Sequence, residues 1–310
     1  MDLYRLGLVP ARIHYFQLVA RMGSIRQAAL TLNVAPSSIS RVIRQMEEEF
    51  GTPLFERVRQ RLKLTSAGEL LLYHARAALS ELGRACSEIE ELHGLHRGTV
   101  SIAVVESVAR GLMPSALESF WKRHPDISVD IKVMSSQAAA NSIAEGESDL
   151  AIIFDVRAPR NVRRILSIML PLGVLALPGS DMAARASLRL FDLANRKVIL
   201  SDHSLTLGAS VEEAFNRSQV DISSRSRTNS ISLMVELAKR DLGVVLQTRV
   251  GVEQELQDGA LTFVPLNDPR LPPRKLALLS RTEKEMSDAA LALGRQLEQS
   301  IQALTAEGAT

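Results

Sequence analysis

The chain has 310 residues, of which 46% are hydrophobic and 23% charged, and a formal charge of +2. That length exceeds a single small core and predicts two domains, or three if one is small. No apolar run reaches the roughly 18 residues of a membrane span; the charged opening MDLYRLGLVPARIHYF lacks a secretory core, and the one cysteine, Cys86, excludes an internal disulfide or a cysteine metal cluster. These features predict a cytoplasmic protein.

The charge is unevenly placed. Residues 1–66 carry ten Arg/Lys against five Asp/Glu, a charge of +5 that leaves −3 for the rest. A basic first fifth on a slightly acidic remainder predicts a polyanion-binding module joined to a part with another partner.

Pro10 suits the start of a first helix, in which Ile13, Phe16 and Val19 form the buried stripe and Gly23 the stop. Ser24 with Gln27 predicts a capping box for a second helix carrying Ile25, Ala28, Ala29 and Leu32. Only Asn33-Val34-Ala35 separates it from a third, opened by Pro36 and carrying Ile39, Ile43, Met46 and Phe50. So short a bridge makes the helices cross steeply and leaves the start of the third projecting.

Ser37, Ser38 and Ser40 crowd that start, where better helix formers would ordinarily sit. A helix start offers unpaired N–H groups and a positive dipole to phosphates, and short hydroxyls let the backbone approach base edges. Arg41 and Arg44 follow on one face. The stretch GTPLFERVRQRLKLTSAG then reads as a hairpin wing, with Arg57, Arg59, Arg61 and Lys63 alternating around Val58, Leu62 and Leu64, as a ribbon along phosphates or a minor groove requires. The plainer reading is a structural helical hairpin with capping serines; the wing and its spacing favour DNA.

Ser66 with Glu69 predicts another capping box, and no proline interrupts the pattern to His93. Leu71, Ala75, Ala78, Leu82, Ala85, Ile89 and Leu92 alternate steps of four and three, a coiled-coil seam that predicts dimerisation. A helix lying on its own domain would show a wider apolar stripe. Cys86, beside the seam, reads as a small packing residue ahead of a redox switch.

From Gly98 onward, apolar runs alternate with helical stretches. Val100–Val105, HPDISVDIKVM, SDLAIIF, LGVLALP, KVILS, LGVVLQ and LTFVPL read as strands, and Leu112–Trp121, Ala138–Ala144 and SLMVELAKRDLG as helices. This is an α/β pattern with a parallel or mixed sheet. Ligands of such sheets lie beyond the carboxyl ends of the strands. That rule selects Ser107; Ser135, Ser136 and Gln137; Phe154; Ser201, His203 and Thr206; Thr228 and Asn229; and Gln247 and Thr248. Hydroxyls and amides at helix starts suit a small carboxylate or other anion, although each is equally readable as a cap, and only convergence in a cleft separates the cases. Glu106 and Asp155 nearby disfavour a heavily charged anion, leaving a monoanionic or aromatic acid as plausible as a dicarboxylate.

Signatures of enzymes are missing: there is no GxSxG elbow, Walker loop, HExxH or glycine-rich dinucleotide turn, and no cofactor is predicted. His93 and His96 read as a solvated pair rather than a metal site. A stand-alone exported binding protein would need a signal that is not seen. The remaining alternative is an architectural DNA-binding protein indifferent to small molecules.

The run from FQLVARMGSIRQAALTLNVAPSSISRVIRQ to LLLYHA resembles the winged helix-turn-helix of the LysR-type transcriptional regulators, through GS…AA..L, SSISR.I…E…G.PLF.R and LT.AG. Pro36 stands where the family often has a base-reading polar side chain, so direct readout shifts to Ser37, Ser38 and Arg41. The resemblance implies that Arg61 or Arg59 enters the minor groove and that the linker helices pair antiparallel. The pieces G.VSIAV, HPDISVDI and DLAIIF resemble the same family's effector-binding domain, which looks like a periplasmic binding protein. The implied layout is α/β overall: a DNA-binding domain over 1–65, a dimerisation helix over 66–93 and an effector domain over 98–303, with lobe I at 98–168 plus 270–303 and lobe II at 169–269. A dimer or tetramer would bind double-stranded promoter DNA, with RNA polymerase as a further partner, and a small effector in the interlobe cleft would close the lobes and move the DNA-binding heads.

Overall fold

A computed structural model describes residues 6–59, 61–92, 98–159, 162–281 and 286–307, apart from the side chains of 80, 84, 87, 88, 90–92, 306 and 307. The chain divides into two compact units: Met1–Leu95 with Glu145–Glu147, and His96–Ala144 with Ser148–Thr310.

The first unit is a three-helix winged module followed by one long helix. Helices α1 (Ala11–Met22), α2 (Ile25–Leu32) and α3 (Pro36–Phe50) precede the antiparallel wing strands β1 (Phe55–Val58) and β2 (Arg61–Leu64), and α4 (Ser66–Leu92) continues from them. Gly23 at φ 63° and Asn33 at φ 53° end α1 and α2 in the left-handed conformation, which turns the chain sharply between helices. Phe16, Val19, Ala28, Ala29, Ile39, Ile43, Met46 and Leu54 form the core. Two expectations are corrected. Phe50 is 57% exposed: the chain leaves α3 through Gly51, and Leu54 occupies the core beside Met46 instead. The cap of α4 is Thr65, one residue before Ser66; its Oγ1 accepts the Gly68 N–H at 3.1 Å and donates to the Pro53 carbonyl at 2.7 Å, tying the helix start to the segment before the wing.

The second unit contains two five-stranded mixed sheets. In one, ordered β4-β3-β5-β12-β6, β3 (Thr99–Val104) pairs in parallel with β4 (Ser128–Val133) and β5 (Leu150–Phe154), while β12 (Arg274–Ser280) lies antiparallel between β5 and β6 (Arg163–Leu170). The other, ordered β11-β7-β10-β8-β9, contains β7 (Gly173–Ala176), β8 (Lys197–Ser201), β9 (Ser223–Thr228), β10 (Val244–Gln247) and β11 (Thr262–Pro265). The first sheet takes its strands from 99–170 and 274–280, the second from 173–265, and they are called lobes I and II below.

Both faces of each sheet are covered, which is why the strands read as continuous apolar runs. In lobe I, Ile102 and Ile152 pack with Leu293, Leu297 and Ile301 of α11 (Asp288–Glu307), whereas Ala103, Ala151 and Ile153 pack against Ala139, Ala140 and Ile143 of α7 (Ser136–Ala144). In lobe II, Val198 and Leu200 meet Val211 and Phe215 of α8 (Thr206–Ser218), and Ile199 and Val245 meet Met234 and Val235 of α9 (Ile231–Lys239). The single helix expected around Leu112–Trp121 is preceded by a short α5 (Glu106–Arg110), with Gly111 leading into α6 (Leu112–Trp121). A further short helix, α10, spans Glu253–Gln257.

Candidate functional site

The start of α3 is open. Its N-cap position is Ala35, which has no side chain able to cap; Pro36 has no N–H and the Ser38 N–H donates to the Ala35 carbonyl at 3.0 Å, so among the described residues the Ser37 N–H is the first-turn donor left to an outside acceptor. Pro36, Ser37, Arg41 and Arg44 are exposed, and Ser38 and Ser40 are partly exposed, opposite the buried Ile39, Ile43 and Met46. Ser37, Ser38 and Ser40 cap nothing among the described residues. Neither Arg41 nor Arg44 has an ion partner there, which leaves both cations available. Ser24 differs: its Oγ accepts the Gln27 N–H at 3.3 Å and is committed to α2.

In the wing, the register Arg57↔Leu62 and Val58↔Arg61 changes the reading of the basic ribbon. Directly paired residues share a face, so Arg57 lies on the side of Phe55, Leu62 and Leu64, whereas Arg61 and Lys63 lie on the other. The four cations expected to alternate together therefore occupy two faces and a tip, with Arg59 in the turn at φ 45°.

Along α4, Leu71 packs against the winged-module core and Ala75 is buried, whereas Ala78, Leu82, Ala85 and Ile89 are exposed, Ile89 by 54%. The expected seam is thus split: Leu71 joins the core of its own unit and Ala75 is buried, and the next four present an uncovered apolar strip. Cys86 beside it is buried. The Leu92 side chain, His93 and His96 lie outside the described residues.

In the second unit the strand ends and helix starts of the two lobes meet around a small cavity of about 50 Å³. Of the expected residues, Ser107, Ser136, Phe154, Ser201, Thr206, Gln247 and Thr248 line it. Others are engaged elsewhere. Ser135 Oγ accepts the Ala138 N–H and caps α7, Gln137 bonds Asn141 along that helix, Thr228 Oγ1 accepts the Ser230 N–H, and Asn229 is exposed. His203 pairs with Glu212 on the surface, beside Arg227. These five do not line the cavity; the short hydroxyl side chains of Ser135 and Thr228 satisfy local backbone N–H groups instead.

Two charged lining residues escaped the sequence reading as ligand groups. Arg274, at the start of β12, is 7% exposed, and its Nε lies 2.5 Å from Asp155 Oδ2 while Nη2 donates to Thr206 Oγ1 at 2.9 Å. Burial draws its guanidinium below its ordinary pKa, and Asp155 opposes that shift. The only available signal was an arginine leading the apolar run LALLS, which marks a strand but not a site. Glu106 is the other; expected to repel anions, it instead receives hydrogen bonds from lobe II. Among the described residues, Thr248 Oγ1 is buried in the wall with no hydrogen-bond partner. Gly251, at φ 93°, brings its backbone so close to Ser107 that a Cβ would stand 2.7 Å from the Ser107 oxygen. Behind the cavity, Arg110 of lobe I pairs with Glu255 of lobe II and donates to the Gly251 carbonyl. The cavity walls thus combine aliphatic and aromatic surface, neutral hydroxyls and amides, one buried cation, Arg274, and one carboxylate, Glu106.

Among the described residues, no helix is long and apolar enough to cross a membrane. Comparison with known proteins places these features. Residues 10–69 match the family model described as the bacterial regulatory helix-turn-helix protein of the lysR family, and residues 93–302 match the LysR substrate binding domain. Relatives include the probable RuBisCO transcriptional regulators of Trichormus variabilis and Synechocystis, 28% and 26% identical over 294 residues, which span 92% of this chain and 86% and 84% of theirs. Similar solved folds include a full-length OxyR variant from Pseudomonas aeruginosa (TM-score 0.67, 18% identity, 93% of each chain). Full-length CbnR complexed with its target DNA is another (TM-score 0.60, 18% identity, 94% of this chain and 99% of that one). The chain belongs to the LysR family of transcriptional regulators, with a helix-turn-helix DNA-binding domain and an effector-binding domain.

Proposed function

We propose that this regulator binds promoter DNA through the start of α3 and the tip of the wing, pairs through α4, and responds to a small acid held between lobes I and II. Ser37, Ser38, Arg41 and Arg44 face the major groove in this reading, and Arg59 or Arg61 enters the minor groove. Ala78, Leu82, Ala85 and Ile89 join two copies in the cytoplasm, so that two half-sites are engaged, and pairs of dimers and RNA polymerase complete the promoter assembly.

The observation that carries the ligand part is the cavity itself. A buried guanidinium and a 2% exposed Thr248, whose hydroxyl has no partner among the described residues, line one small cavity between the lobes. Unmet buried hydrogen-bonding capacity is costly, and an acid carrying its own acceptors would meet it. A purely architectural DNA-binding protein has no need of such a space.

The test is fluorescence anisotropy of the full chain on DNA from upstream of its own gene, against shuffled DNA, at two salt concentrations and with a panel of small monocarboxylic and dicarboxylic acids. Preference for the native DNA that persists in salt, and shifts with one acid, is expected. Equal binding that vanishes with salt is counterion release alone and refutes sequence-specific reading of that DNA. Arg41→Ala should lower the preference for target over random DNA by about 1–3 kcal/mol, the worth of a bidentate base contact, whereas Arg59→Ala should weaken both about equally. Equal losses from Arg41→Ala would remove its assigned role.

A further inference from the structure

Glu106 belongs to lobe I, at the point where β3 passes into α5, yet the hydrogen bonds of its carboxylate among the described residues run to lobe II. Oε2 accepts the Ile231 N–H at 2.9 Å, and Oε1 accepts the Ser232 N–H at 3.1 Å and the Ser230 hydroxyl at 3.2 Å. Ser230 is the N-cap of α9, and its Oγ already accepts the Leu233 N–H. The next two donors of that first turn have no partner within their own helix, and a helix start favours negative charge. Glu106 supplies both the acceptors and the charge. Across the same cavity Arg274, also of lobe I, reaches the Thr206 hydroxyl at the first residue of α8. The lobes are therefore bridged over the cavity by two lobe I side chains, each seated on the start of a lobe II helix.

Resting on the reading of this cavity as the effector site, we propose that Glu106 is a built-in ligand. Its carboxylate occupies an anion position at the start of α9 that a small carboxylate effector competes for, and it holds the lobes together while no effector is bound. A tethered carboxylate acts at an effective concentration in the millimolar range or above. A free acid displaces it only by adding contacts that Glu106 cannot make. The unpartnered Thr248 hydroxyl and the Arg274 guanidinium are those contacts, and the apolar wall formed by Val105, Phe154 and Ile231 selects an acid with a compact apolar body. Acids with a second full charge are disfavoured, because Asp155 already occupies one side of Arg274. The displaced Glu106 carboxylate turns to water, which frees the lobes to take a second arrangement. The effector thus replaces an internal bond instead of filling an empty cleft.

The test is hydrogen exchange at the Ile231 and Ser232 amides of the full chain, in wild type, Glu106→Ala and Glu106→Gln, with sodium acetate as the carboxylate probe and sodium chloride as the control. Fluorescence of Trp121, the only tryptophan, reports that each variant retains the folded second unit. Exchange at both amides should rise about tenfold or more in Glu106→Ala, the effect of losing charge-assisted hydrogen bonds, and by less in Glu106→Gln, which keeps one acceptor oxygen. Acetate at tens of millimolar should slow exchange again in Glu106→Ala and leave wild type unchanged. Equal exchange in wild type and Glu106→Ala, or acetate acting no better than chloride, would overturn the proposal. Failure of the effector reading itself has a different signature: the exchange pattern holds while no acid alters binding to upstream DNA.

Discussion

Gly68 offers a test in which two physical arguments predict opposite signs. It lies in the first turn of α4, where replacing glycine by alanine ordinarily stabilises a helix by about 1 kcal/mol. Here a Cβ would stand 2.1 Å from the Leu54 carbonyl oxygen, 2.8 Å from Leu64 Cδ2 and 3.1 Å from the Leu54 carbonyl carbon. Ordinary contact needs about 3.5 Å, so α4 and the segment before the wing must separate by more than an ångström. Little can give way, because the same Leu54 oxygen accepts the Thr65 N–H at 3.0 Å and Thr65 in turn caps α4. Overpacking of this kind costs about 1–3 kcal/mol, and a backbone neighbour places the cost in the upper part of that range. After subtracting the propensity gain, Gly68→Ala should destabilise the DNA-binding unit by roughly 1–2 kcal/mol. The assay is native-state hydrogen exchange of the core amides of α1 to α3, which should speed by about 5–30-fold. Slower exchange in Gly68→Ala would refute the packing argument and leave helix propensity in control.

Other consequences are checked in the same way. Leu82→Glu with Ile89→Glu places carboxylates in the uncovered strip of α4, where burial of each apolar side chain is worth about 1.5–3 kcal/mol; light scattering should find monomers, and an unchanged oligomer would exclude this strip as the interface. Arg274→Met should cost about 1–3 kcal/mol, less than for a fully buried pair because Asp155 keeps contact with water, and should abolish any acid response; a response that survives would remove Arg274 from the site. Burial raises the Asp149 carboxyl above its ordinary 3.8, against the opposing Ser101 N–H and Arg281. The folded state therefore holds that proton more tightly than the unfolded chain does, and the group's contribution to stability falls as pH rises from about 3.8 through the raised value. Urea midpoints followed by Trp121 fluorescence should shift in favour of Asp149→Asn over wild type as pH climbs from that range to neutrality; a pH-independent difference would contradict the assignment.

The features legible in the sequence were those with a local physical cause. Gly23 and Asn33 end helices because they tolerate the left-handed conformation, and Ile39, Ile43 and Met46 recur at the helical period, so the three-helix module could be traced without knowledge of any distant contact. The apolar runs LAIIF and KVILS announced strands covered on both faces. β9, with the sequence SSRSRT, had no such signal: it is a strand because the edge of β8 offers it unpaired backbone groups, and β6 and β12 gain their places by antiparallel pairing with each other. The wing showed the limit most sharply, since basic residues at alternate positions shared one face only until the hairpin register was known.

The candidate cleft divides along the same line. Strand ends and helix starts pointed to Ser107, Ser136, Ser201 and Thr248 because the ligand rule for open α/β sheets depends on chain direction, which a sequence displays. Whether a serine there is a cap or a wall depends on which neighbour its hydroxyl meets, so Ser135 and Ser136, adjacent in the chain, part company. Glu106 and Arg274 lie beyond local inference altogether: Glu106 bonds donors 124 to 126 residues away and Arg274 a hydroxyl 68 residues away. By itself the sequence determined the family, the helix-turn-helix and the alternation of strands and helices, because these follow from short-range periodicity and turn chemistry. Tertiary structure alone decided which charged groups face each other across the cleft, because opposite lobes meet only after both sheets have formed.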